Sequence, residues 1–221
     1  MKYHIHIDPT LYQTYASIRL GCMRFSAQVK PSEASFWHHL NTEVFPSVRE
    51  NIHGKAWSEI SGVRGSRLAY KAFGRDAARY RVSSESLLRR VRRGDELYHI
   101  NSVVDVNNLI SVTTGLSVGS YDVSKIHGDV VLRVAREGEG YEGIGKQFID
   151  MRDMLELADE DGIFGSSMSD SQRTMVTEST TDIMVVIWCF EDTIDLSQVM
   201  ADAAEAFQKY AGATAIETWI V

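Results

Sequence analysis

The sequence contains few cysteines, and its apolar stretches are short. Only Cys22 and Cys189 occur among 221 residues, too few and too far apart for a disulfide framework or a thiolate metal cluster, which suits a reducing compartment. The longest uninterrupted apolar run, residues 183–190, has eight residues, whereas a helix needs about 20 to cross a bilayer. The first residues alternate polar and apolar side chains, which is typical of a strand and unlike a signal peptide. We therefore expect a cytoplasmic protein without a membrane partner.

The composition is that of an ordinary globular protein. Apolar residues make up 44% of the chain and charged residues 24%, which excludes disordered, collagen-like and coiled-coil classes. Strand-like and helix-like segments interleave without regular βαβ periodicity, which predicts an α+β fold: a single compact domain with a mixed β-sheet and helices packed against it. We expect residues 1–63 to add an N-terminal strand and helices to the same globule as residues 64–221.

Apolar runs and capping residues predict the second half of the chain most clearly. Residues 130–135 and 183–190 are interpreted as buried central strands. Asp195 is predicted to cap a final helix that Gly212 ends, and residues 214–221 follow as a terminal strand.

The first half of the chain is predicted to be mainly helical. Ser32 is expected to cap a helix that Pro46 bends or ends, with a second short helix after it. Ser83 or Ser84 is predicted to cap an arginine-rich helix that stops before Gly94. Residues 100–116 mix valine and isoleucine with asparagine and aspartate, which suits neither a plain strand nor a plain helix.

Positive charge is concentrated in one segment of an acidic chain. The formal net charge is −7, which argues against a nonspecific polyanion binder. Residues 64–93 nevertheless contain ten basic and two acidic side chains. Any contact with a polyanion should therefore be local and orientation-specific. An equally good interpretation is that four of these arginines only complement a helix dipole.

Two short patterns invite a functional interpretation that other observations weaken. His4, His6 and Asp8 would share one face of a strand, but no further ligands follow at metal-site spacing, so a solvated strand face is favoured. Residues 138–143 satisfy the dinucleotide pattern GxGxxG, with Asp159 downstream. Two glutamates flank this turn and oppose a phosphate, so a sharp loop between strands is favoured.

A stretch rich in hydroxyl groups follows. Residues 166–174 combine serines and a threonine with Asp170 and Arg173. Such a loop could line a polar pocket, and its arginine could pair with a carboxylate or phosphate. An ordinary turn-rich connection is the alternative interpretation.

Several separated segments together resemble a known family. They are residues 75–83, 87–90, 100–108, 119–122, 138–145, 169–174 and 180–182. In this order they resemble the B3/B4 domain of the phenylalanyl-tRNA synthetase beta chain, and more specifically its freestanding bacterial relatives. The resemblance covers about residues 64–190.

This resemblance implies a function in translation. In the synthetase, the domain hydrolyses tyrosine wrongly esterified to phenylalanine tRNA. The resemblance therefore implies binding of tRNA or aminoacyl-tRNA, with hydrolysis of a mischarged ester left open. We expect no DNA partner, no cofactor and no metal. Aminoacylation itself is not expected, because the chain is too short for a synthetase catalytic core and has no ATP motif.

The site residues fall into three groups. The predicted substrate-binding residues are Asn101, Asp105, Asn107, Asn108, Gly119, Ser169 and Arg173. The predicted RNA-binding residues are Arg75, Arg79, Arg81, Arg89, Arg90, Arg92 and Arg93. The candidates for positioning a water molecule are His99, Asp170 and Thr174.

Three positions depart from the family pattern. Asn108 matches the pocket asparagine of the family, but Gly119 stands where the family has a histidine. Ile187 stands where a glutamate ends a strand, and Tyr98 replaces an arginine. The resemblance therefore supports binding more directly than catalysis.

Two further classes of function remain open. The first is a small-molecule binding protein with an amino-acid-like ligand, in which the arginines form structural ion pairs. The second is a metal-dependent hydrolase that uses His4 and His6. The sequence predicts no particular amino acid, tRNA or oligomeric state.

Overall fold

The computed structural model describes residues 4–76 and 79–221, and two four-stranded β-sheets form its centre. Numbered along the chain, the strands are β1 (Ile5–Ile7), β2 (Arg19–Ser26), β3 (Ser117–Asp122), β4 (Val130–Val134), β5 (Gly140–Glu142), β6 (Phe148–Asp150), β7 (Leu155–Asp159), β8 (Gly162–Gly165), β9 (Asp182–Cys189) and β10 (Thr214–Ile220). The α-helices are α1 (Leu11–Thr14), α2 (Ala34–His39), α3 (Phe45–Ile52), α4 (Val63–Ala72), α5 (Ser83–Arg93), α6 (Ser102–Thr114) and α7 (Leu196–Ala211).

The two sheets differ in strand direction. The first has the order β1-β4-β7-β8, with β1 parallel to β4 and the other pairs antiparallel. The second has the order β10-β2-β9-β3 and is antiparallel throughout. The fold class is therefore α+β, as the sequence predicts. The strands divide between two sheets, of which the first is mixed, and β5 and β6 form a separate hairpin.

Strand β9 explains how the layers are stacked. Ile183, Val185 and Ile187 belong to a core cluster shared with α5, α6 and α7. Met184, Val186 and Trp188 belong to a second cluster shared with β1, β4 and β7. Successive side chains of a strand point to opposite faces. The helices, the second sheet and the first sheet therefore form three layers, and the apolar run is continuous because both faces of β9 are buried.

Both strands expected to be central are central, since β9 lies between β2 and β3 and β4 lies between β1 and β7. The prediction for the last helix is confirmed as well. The carboxylate of Asp195 accepts a hydrogen bond from the backbone N–H of Gln198 at 3.1 Å, and Gly212 adopts a positive φ of 66° after α7.

The predicted serine caps are wrong. Helix α2 begins after Glu33, and the hydroxyl of Ser32 donates instead to Asp105 at 2.7 Å. Helix α5 begins at Ser83 after Val82, and no side chain caps it. Buried Ser84 accepts a hydrogen bond from another serine rather than from its own helix.

Pro46 begins a helix rather than ending one. A π-helical segment, Leu40–Val44, joins α2 to α3, and Pro46 lies in the first turn of α3. Proline is tolerated there because the first N–H groups of a helix have no partner within it. The expected second short helix is therefore present, ending at Ile52.

The mixed segment 100–116 forms helix α6. Asn101 caps it, because its side-chain oxygen accepts hydrogen bonds from the backbone N–H groups of Val103 and Val104 at 3.1 and 3.0 Å. Asp105 lies in its first turn, where a carboxylate also interacts favourably with the helix dipole.

The glycine-rich residues 138–145 contain strand β5 and the start of the turn that leads to β6, so they form part of a hairpin rather than a simple loop between strands. The strand-to-helix geometry of a dinucleotide site is not formed. Over the described ranges, the model places no cluster of three or more His, Cys, Asp or Glu side chains that could hold a metal ion. Within those same ranges, every helix is too short or too polar to span a membrane.

Candidate functional site

A cavity of about 290 Å³ lies between α5, α6 and β3. The segment after β8, residues 166–176, closes one side of it, and Ile144 from the β5–β6 turn adds to its wall. Its polar lining consists of Ser83, Asn107, Asn108, Ser120, Ser166, Ser169 and Asp170. Its apolar lining consists of Leu87, Ile100, Val104, Val118, Ile144, Met168, Met175 and Val176. Polar groups that converge within an apolar wall are typical of a small-molecule site.

A larger cleft of about 900 Å³ lies elsewhere, against residues of β1, β2 and β10. His4, from the metal pattern, lines this cleft, but its described lining contains none of the predicted substrate-binding, RNA-binding or water-positioning residues. Its charged lining includes Arg24 and Asp182, which already form a bidentate ion pair across β2 and β9. The smaller cavity is therefore the better candidate for a functional site.

Helix α6 brings two adjacent asparagines to the cavity. The amide nitrogen of Asn107 donates to the hydroxyl of Ser120 on β3 at 2.8 Å. The Oδ1 atom of Asn107 is buried and accepts no hydrogen bond from any residue that the structure describes. A buried acceptor without a donor is unfavourable, so this oxygen is a candidate contact for a ligand.

The segment 166–176 is held in place by its own hydrogen bonds. The hydroxyl of Ser166 accepts from the backbone N–H groups of Met168 and Ser169 at 3.2 and 3.1 Å, and it donates to the carbonyl of Ser169 at 2.9 Å. The phenol of Tyr141 donates to the same carbonyl at 2.6 Å. These contacts fix Ser169 and the neighbouring Asp170 against the cavity.

Asp170 is the ionisable group of the cavity with the clearest chemistry. Its carboxylate accepts a hydrogen bond from the phenol of Tyr121 at 2.8 Å. Desolvation raises the pKa of Asp170 to about 7, although the Tyr121 hydrogen bond and the charge of Lys146 oppose the increase. Buried Glu156 on β7 also has a pKa well above its usual value, because of desolvation and then the charge of Asp170.

Tyr121 explains the glycine at the position of the family's histidine. A Cβ atom added to Gly119 would collide with the phenol of Tyr121, and a Cβ at Gly165 would collide with the same ring. The buried ring therefore occupies the space that a side chain at position 119 would need. Gly119 itself does not line the cavity.

The structure brings together four of the predicted site residues: Asn107, Asn108, Ser169 and Asp170. Asn101 and Asp105 instead stabilise the start of α6. Asn101 caps the helix, and the carboxylate of Asp105 accepts a hydrogen bond from the backbone N–H of Ile100 at 2.9 Å. Arg173 forms a bidentate ion pair with Asp159, at 2.8 and 2.9 Å, outside the cavity.

The other two water-positioning candidates lie away from the cavity lining. His99 stacks on Trp37 with ring centroids 3.6 Å apart. Thr174 is fully buried, and its hydroxyl has no partner among the described residues. Ile187, at the position of the family's glutamate, lies in the core between the second sheet and the helices.

Sequence reasoning missed Ser83, Ser120, Tyr121 and Glu156 as members of the site or its surroundings. Ser83 is separated from the segment 166–176 by more than 80 residues, so no local pattern connects the two. Glu156 did leave a signal: within β7 it lies among Leu155, Leu157 and Ala158, which are apolar and buried. A carboxylate in such a strand indicates a special environment.

Several arginines of the basic segment contact carboxylates or aromatic rings. Buried Glu85 forms ion pairs with Arg67 and Arg89, both at 2.7 Å. Arg89 and Arg92 lie over the ring of Trp57, at 4.4 and 3.9 Å from its centroid. These arginines therefore have structural contacts on one side of α5.

Of the remaining predicted RNA-binding arginines, Arg79, Arg81 and Arg93 are exposed, and Arg75 and Arg90 are half-buried. Arg75 pairs with Asp153, and Arg79 lies over the ring of Tyr80 at 5.5 Å. Arg90 lies over the ring of Tyr98 at 4.5 Å, and Arg93 pairs with Asp95 at 2.7 Å. Arg81 also has an interaction partner.

Comparison with known proteins shows the class to which this fold and cavity belong. Residues 65–217 match the family model of the B3/4 domain, and the chain belongs to this family. The resemblance to the B3/B4 domain is therefore confirmed.

The curated relatives are much longer proteins. The Phenylalanine--tRNA ligase beta subunit of Psychrobacter arcticus is 33% identical over 87 residues, which cover 38% of this chain and 11% of that protein. The corresponding subunit of Bartonella henselae is 27% identical over 127 residues, covering 54% of this chain and 16% of that protein. This chain is thus a B3/4 domain related to a small part of that ligase subunit.

A solved structure also aligns with most of the chain. It is an N-terminal fragment of the phenylalanyl-tRNA synthetase beta-subunit from Pyrococcus horikoshii. The alignment covers 98% of this chain and 50% of that one, with 13% identity and a TM-score of 0.48.

Proposed function

We propose that this chain binds the aminoacylated 3′ end of a tRNA, with the aminoacyl group in the cavity between α5, α6 and the segment 166–176. The observation that carries the proposal is the convergence of Asn107, Asn108, Ser169 and Asp170 on one cavity from two distant parts of the chain. Membership of the B3/4 family supports the same ligand class.

Helix α5 supports the proposal because it connects the cavity with the basic surface. Ser83 and Leu87 line the cavity, whereas Arg90 and Arg93 lie further along the same helix. With a rise of about 1.5 Å per residue, Ser83 and Arg90 are separated by about 10 Å along the helix axis. This length suits a terminal nucleotide whose ester enters the cavity while its phosphate meets an arginine.

The solvent-facing arginines are the best candidates for phosphate contacts. The side chains of Arg93 and its partner Asp95 are 59% and 39% exposed. An exposed ion pair contributes little to stability, so a phosphate can replace the aspartate at low cost. Tyr98, 65% exposed beneath Arg90, offers a ring on which a base can stack.

If the bound ester is hydrolysed, Asp170 is the candidate general base. A pKa of about 7 leaves a substantial fraction of this carboxyl group ionised at neutral pH while keeping it basic enough to accept a proton from water. In this proposal a water molecule attacks the ester carbonyl while Asp170 accepts a proton from that water. The acyl C–O bond then breaks, and Asp170 returns the proton to the ribose oxygen, which leaves as the tRNA hydroxyl. His99 and Thr174 take no part, since neither lines the cavity.

The test is filter binding of aminoacyl-tRNA by the chain and by the double variant Arg90→Ala/Arg93→Ala. We expect the double variant to bind at least tenfold more weakly at low salt. Affinity of the unmodified chain should fall with salt, with a log–log slope of about −1 to −2 for two phosphate contacts on a single strand. Arg136→Ala is the matched control, because it removes an exposed arginine outside the basic segment. Salt-independent binding, or equal loss in the control, would contradict the proposal.

A second candidate function is favoured by the ion pairs around α5. If the arginines serve only Glu85, Asp95 and Trp57, the chain binds an amino-acid-like small molecule in the same cavity without tRNA. This alternative expects ligand binding that salt does not affect and no measurable affinity for tRNA.

A further inference from the structure

The described lining of the cavity contains an acidic side chain but no basic one. Among the residues that the structure describes, Asp170 is the one ionisable side chain in the lining, and the remaining polar groups are serine hydroxyls and two amides. Neither lysine, arginine nor histidine is among the described lining residues. Such a lining can bind a cation or a neutral group, but it offers no countercharge to an anion.

The hydrogen-bonding groups of the cavity also favour a cation or a neutral group over an anion. The Oδ1 atom of Asn107 is an acceptor that lacks a donor among the described residues, and the amide nitrogen of Asn107 is already engaged by Ser120. The backbone N–H groups of Met168 and Ser169, which are natural donors to a carboxylate, are already bound to Ser166. The N–H donors of Asn107, Met168 and Ser169 are therefore already engaged, whereas the Oδ1 atom of Asn107 is an acceptor without a donor among the described residues.

Charged groups near the lining do not supply a countercharge for an anion inside the cavity. Lys146 lies close enough to lower the pKa of Asp170, but it is an exposed residue of the β5–β6 turn and does not line the cavity. Buried Glu156 behind Asp170 is a further acid, with Arg133 near it. Arg133 is itself held by both carboxylate oxygens of Glu139 at 2.6 and 2.7 Å.

We propose that the cavity selects amino acids whose carboxyl group is esterified or amidated, binds their α-ammonium group at Asp170 and Asn107, and excludes the free amino acid. This inference rests on the proposed function and deepens it. The ammonium group supplies the donors that both acceptors lack. The apolar wall formed by Leu87, Val104, Val118 and Met175 suits an apolar side chain of the same ligand.

Exclusion of the free amino acid follows from its second charge. A free amino acid carries a carboxylate, which would lie near the carboxylate of Asp170 without a cation in the described lining to neutralise it. An ester or amide presents a neutral carbonyl at the same place, which the amide of Asn108 suits as a donor. Hydrolysis of an ester would create a carboxylate inside the cavity, and repulsion from Asp170 would favour release of that product.

The first experiment needs no variant. Calorimetric titration at pH 7 would compare L-methioninamide and L-phenylalaninamide with the free amino acids and with the N-acetylated amides. We expect each amide to bind at least tenfold more tightly than its free acid and its N-acetyl form. Equal affinity for amide and free acid would overturn the inference, and so would equal affinity for amide and N-acetyl amide.

Two variants assign the preference to a residue. Asp170→Asn keeps the shape and an acceptor for Tyr121, and it should reduce amide binding about tenfold while narrowing the difference between amide and free acid. Lys146→Ala tests the opposite explanation: loss of the lysine lets the pKa of Asp170 rise, which should weaken amide binding somewhat at pH 7 but leave the amide preferred over the free acid. A loss of free-acid binding in Lys146→Ala would show that the lysine holds a carboxylate and would overturn the inference. Near-ultraviolet circular dichroism would verify that both variants are folded.

Failure of this inference is distinguishable from failure of the proposed function. Aminoacyl-tRNA that binds in the filter assay, while amides and free acids bind the cavity equally, would leave the proposed function standing and remove the selection. Absence of binding by every small probe, with aminoacyl-tRNA bound, would likewise overturn the inference alone. Absence of aminoacyl-tRNA binding, with amides bound selectively, would support the inference for the small-molecule alternative.

Discussion

At the scale of single residues, Tyr121 shapes the surroundings of the cavity more than any residue that the sequence predicts for the site. Its phenol fills the space beside Gly119 and Gly165, and it donates to Asp170. The sequence shows the glycine where the family has a histidine, but the ring that takes its place comes from two residues further along the same strand. Such a substitution of one group by another in space leaves no signal in a linear alignment.

This arrangement predicts the effect of a methyl group at position 119. Gly119→Ala places a Cβ against the phenol of Tyr121, so the ring must move or β3 must shift. We expect a loss of about 2 kcal/mol in the free energy of unfolding, measured by urea denaturation, as for other overpacked cores. The double variant with Tyr121→Phe, which removes the closest atom, should lose less than the sum of the two single variants. Strict additivity would show that the contact is not the cause.

At the scale of elements, helix α6 shows what the sequence pattern leaves open. Its valines, isoleucine and asparagines have modest helix propensity, and the pattern alone favours neither helix nor strand. The helix forms because Asn101 caps it and because most of its side chains are buried against neighbouring elements. By contrast, α7 is predicted correctly, because its apolar residues recur at helical spacing and because Asp195 and Gly212 mark its two ends.

The cap of α6 should affect ligand binding as well as stability. Asn101→Ala removes two hydrogen bonds at the start of the helix that carries Asn107 and Asn108. We expect it to lower the free energy of unfolding by about 1 kcal/mol and to weaken binding of the amide probes severalfold. Asp195→Ala is the matched control: it removes the cap of α7, which contributes nothing to the cavity lining, and should lower stability without changing probe affinity. Equal effects on binding would show that α6 does not position the asparagines specifically.

The sequence predicts the basic helix α5 itself but not the contacts that its arginines make. Its existence, its arginines and its end at Gly94 follow from the sequence, and φ of 81° at Gly94 confirms the end. The partners of the arginines do not follow, because Trp57 and Ile52 lie about 30 to 40 residues earlier in the chain. A charge count over residues 64–93 therefore overstates the positive charge that is available to a ligand.

At the scale of the whole molecule, the fold class and the central positions of β4 and β9 follow from apolar patterning, whereas the strand order and the division into two sheets do not. That division depends on which faces of β2 and β9 are covered, and a strand buried on both faces carries no alternation to reveal it. The cavity is also a property of the whole fold, since α5, α6, β3 and the segment 166–176 meet only after the layers are stacked.

The buried acids should make the stability of the whole molecule depend on pH. The carboxyl of Asp170 titrates near 3.8 when the chain is unfolded and near 7 when it is folded, and burial shifts the pKa of Glu156 in the same direction. Between these values the folded chain holds protons that the unfolded chain has lost, so stability is full below pH 4 for these groups and falls as pH rises. Urea denaturation should therefore give a lower free energy of unfolding at pH 8 than at pH 5.

The variant Asp170→Asn isolates one contribution to that slope. It cannot lose a proton, so its stability should fall less between pH 5 and pH 8 than that of the unmodified chain. Groups with lowered pKa, such as Glu139 and Glu191, are ionised in both states over this range and do not contribute. A parallel decline in the variant would assign the slope to Glu156 or another group.

Strand β9 has one more consequence, which concerns the chain before it folds. Residues 183–190, seven of which belong to β9, form a run of eight apolar residues that would tend to self-associate in an unfolded nascent chain. Asp182 precedes this run and Glu191 follows it, and acidic residues at the flanks of such a segment act as gatekeepers against self-association. In the finished molecule Asp182 pairs with Arg24 and Glu191 pairs with Arg64. The same two acidic residues therefore oppose self-association of the unfolded segment and form ion pairs at the two ends of the folded strand.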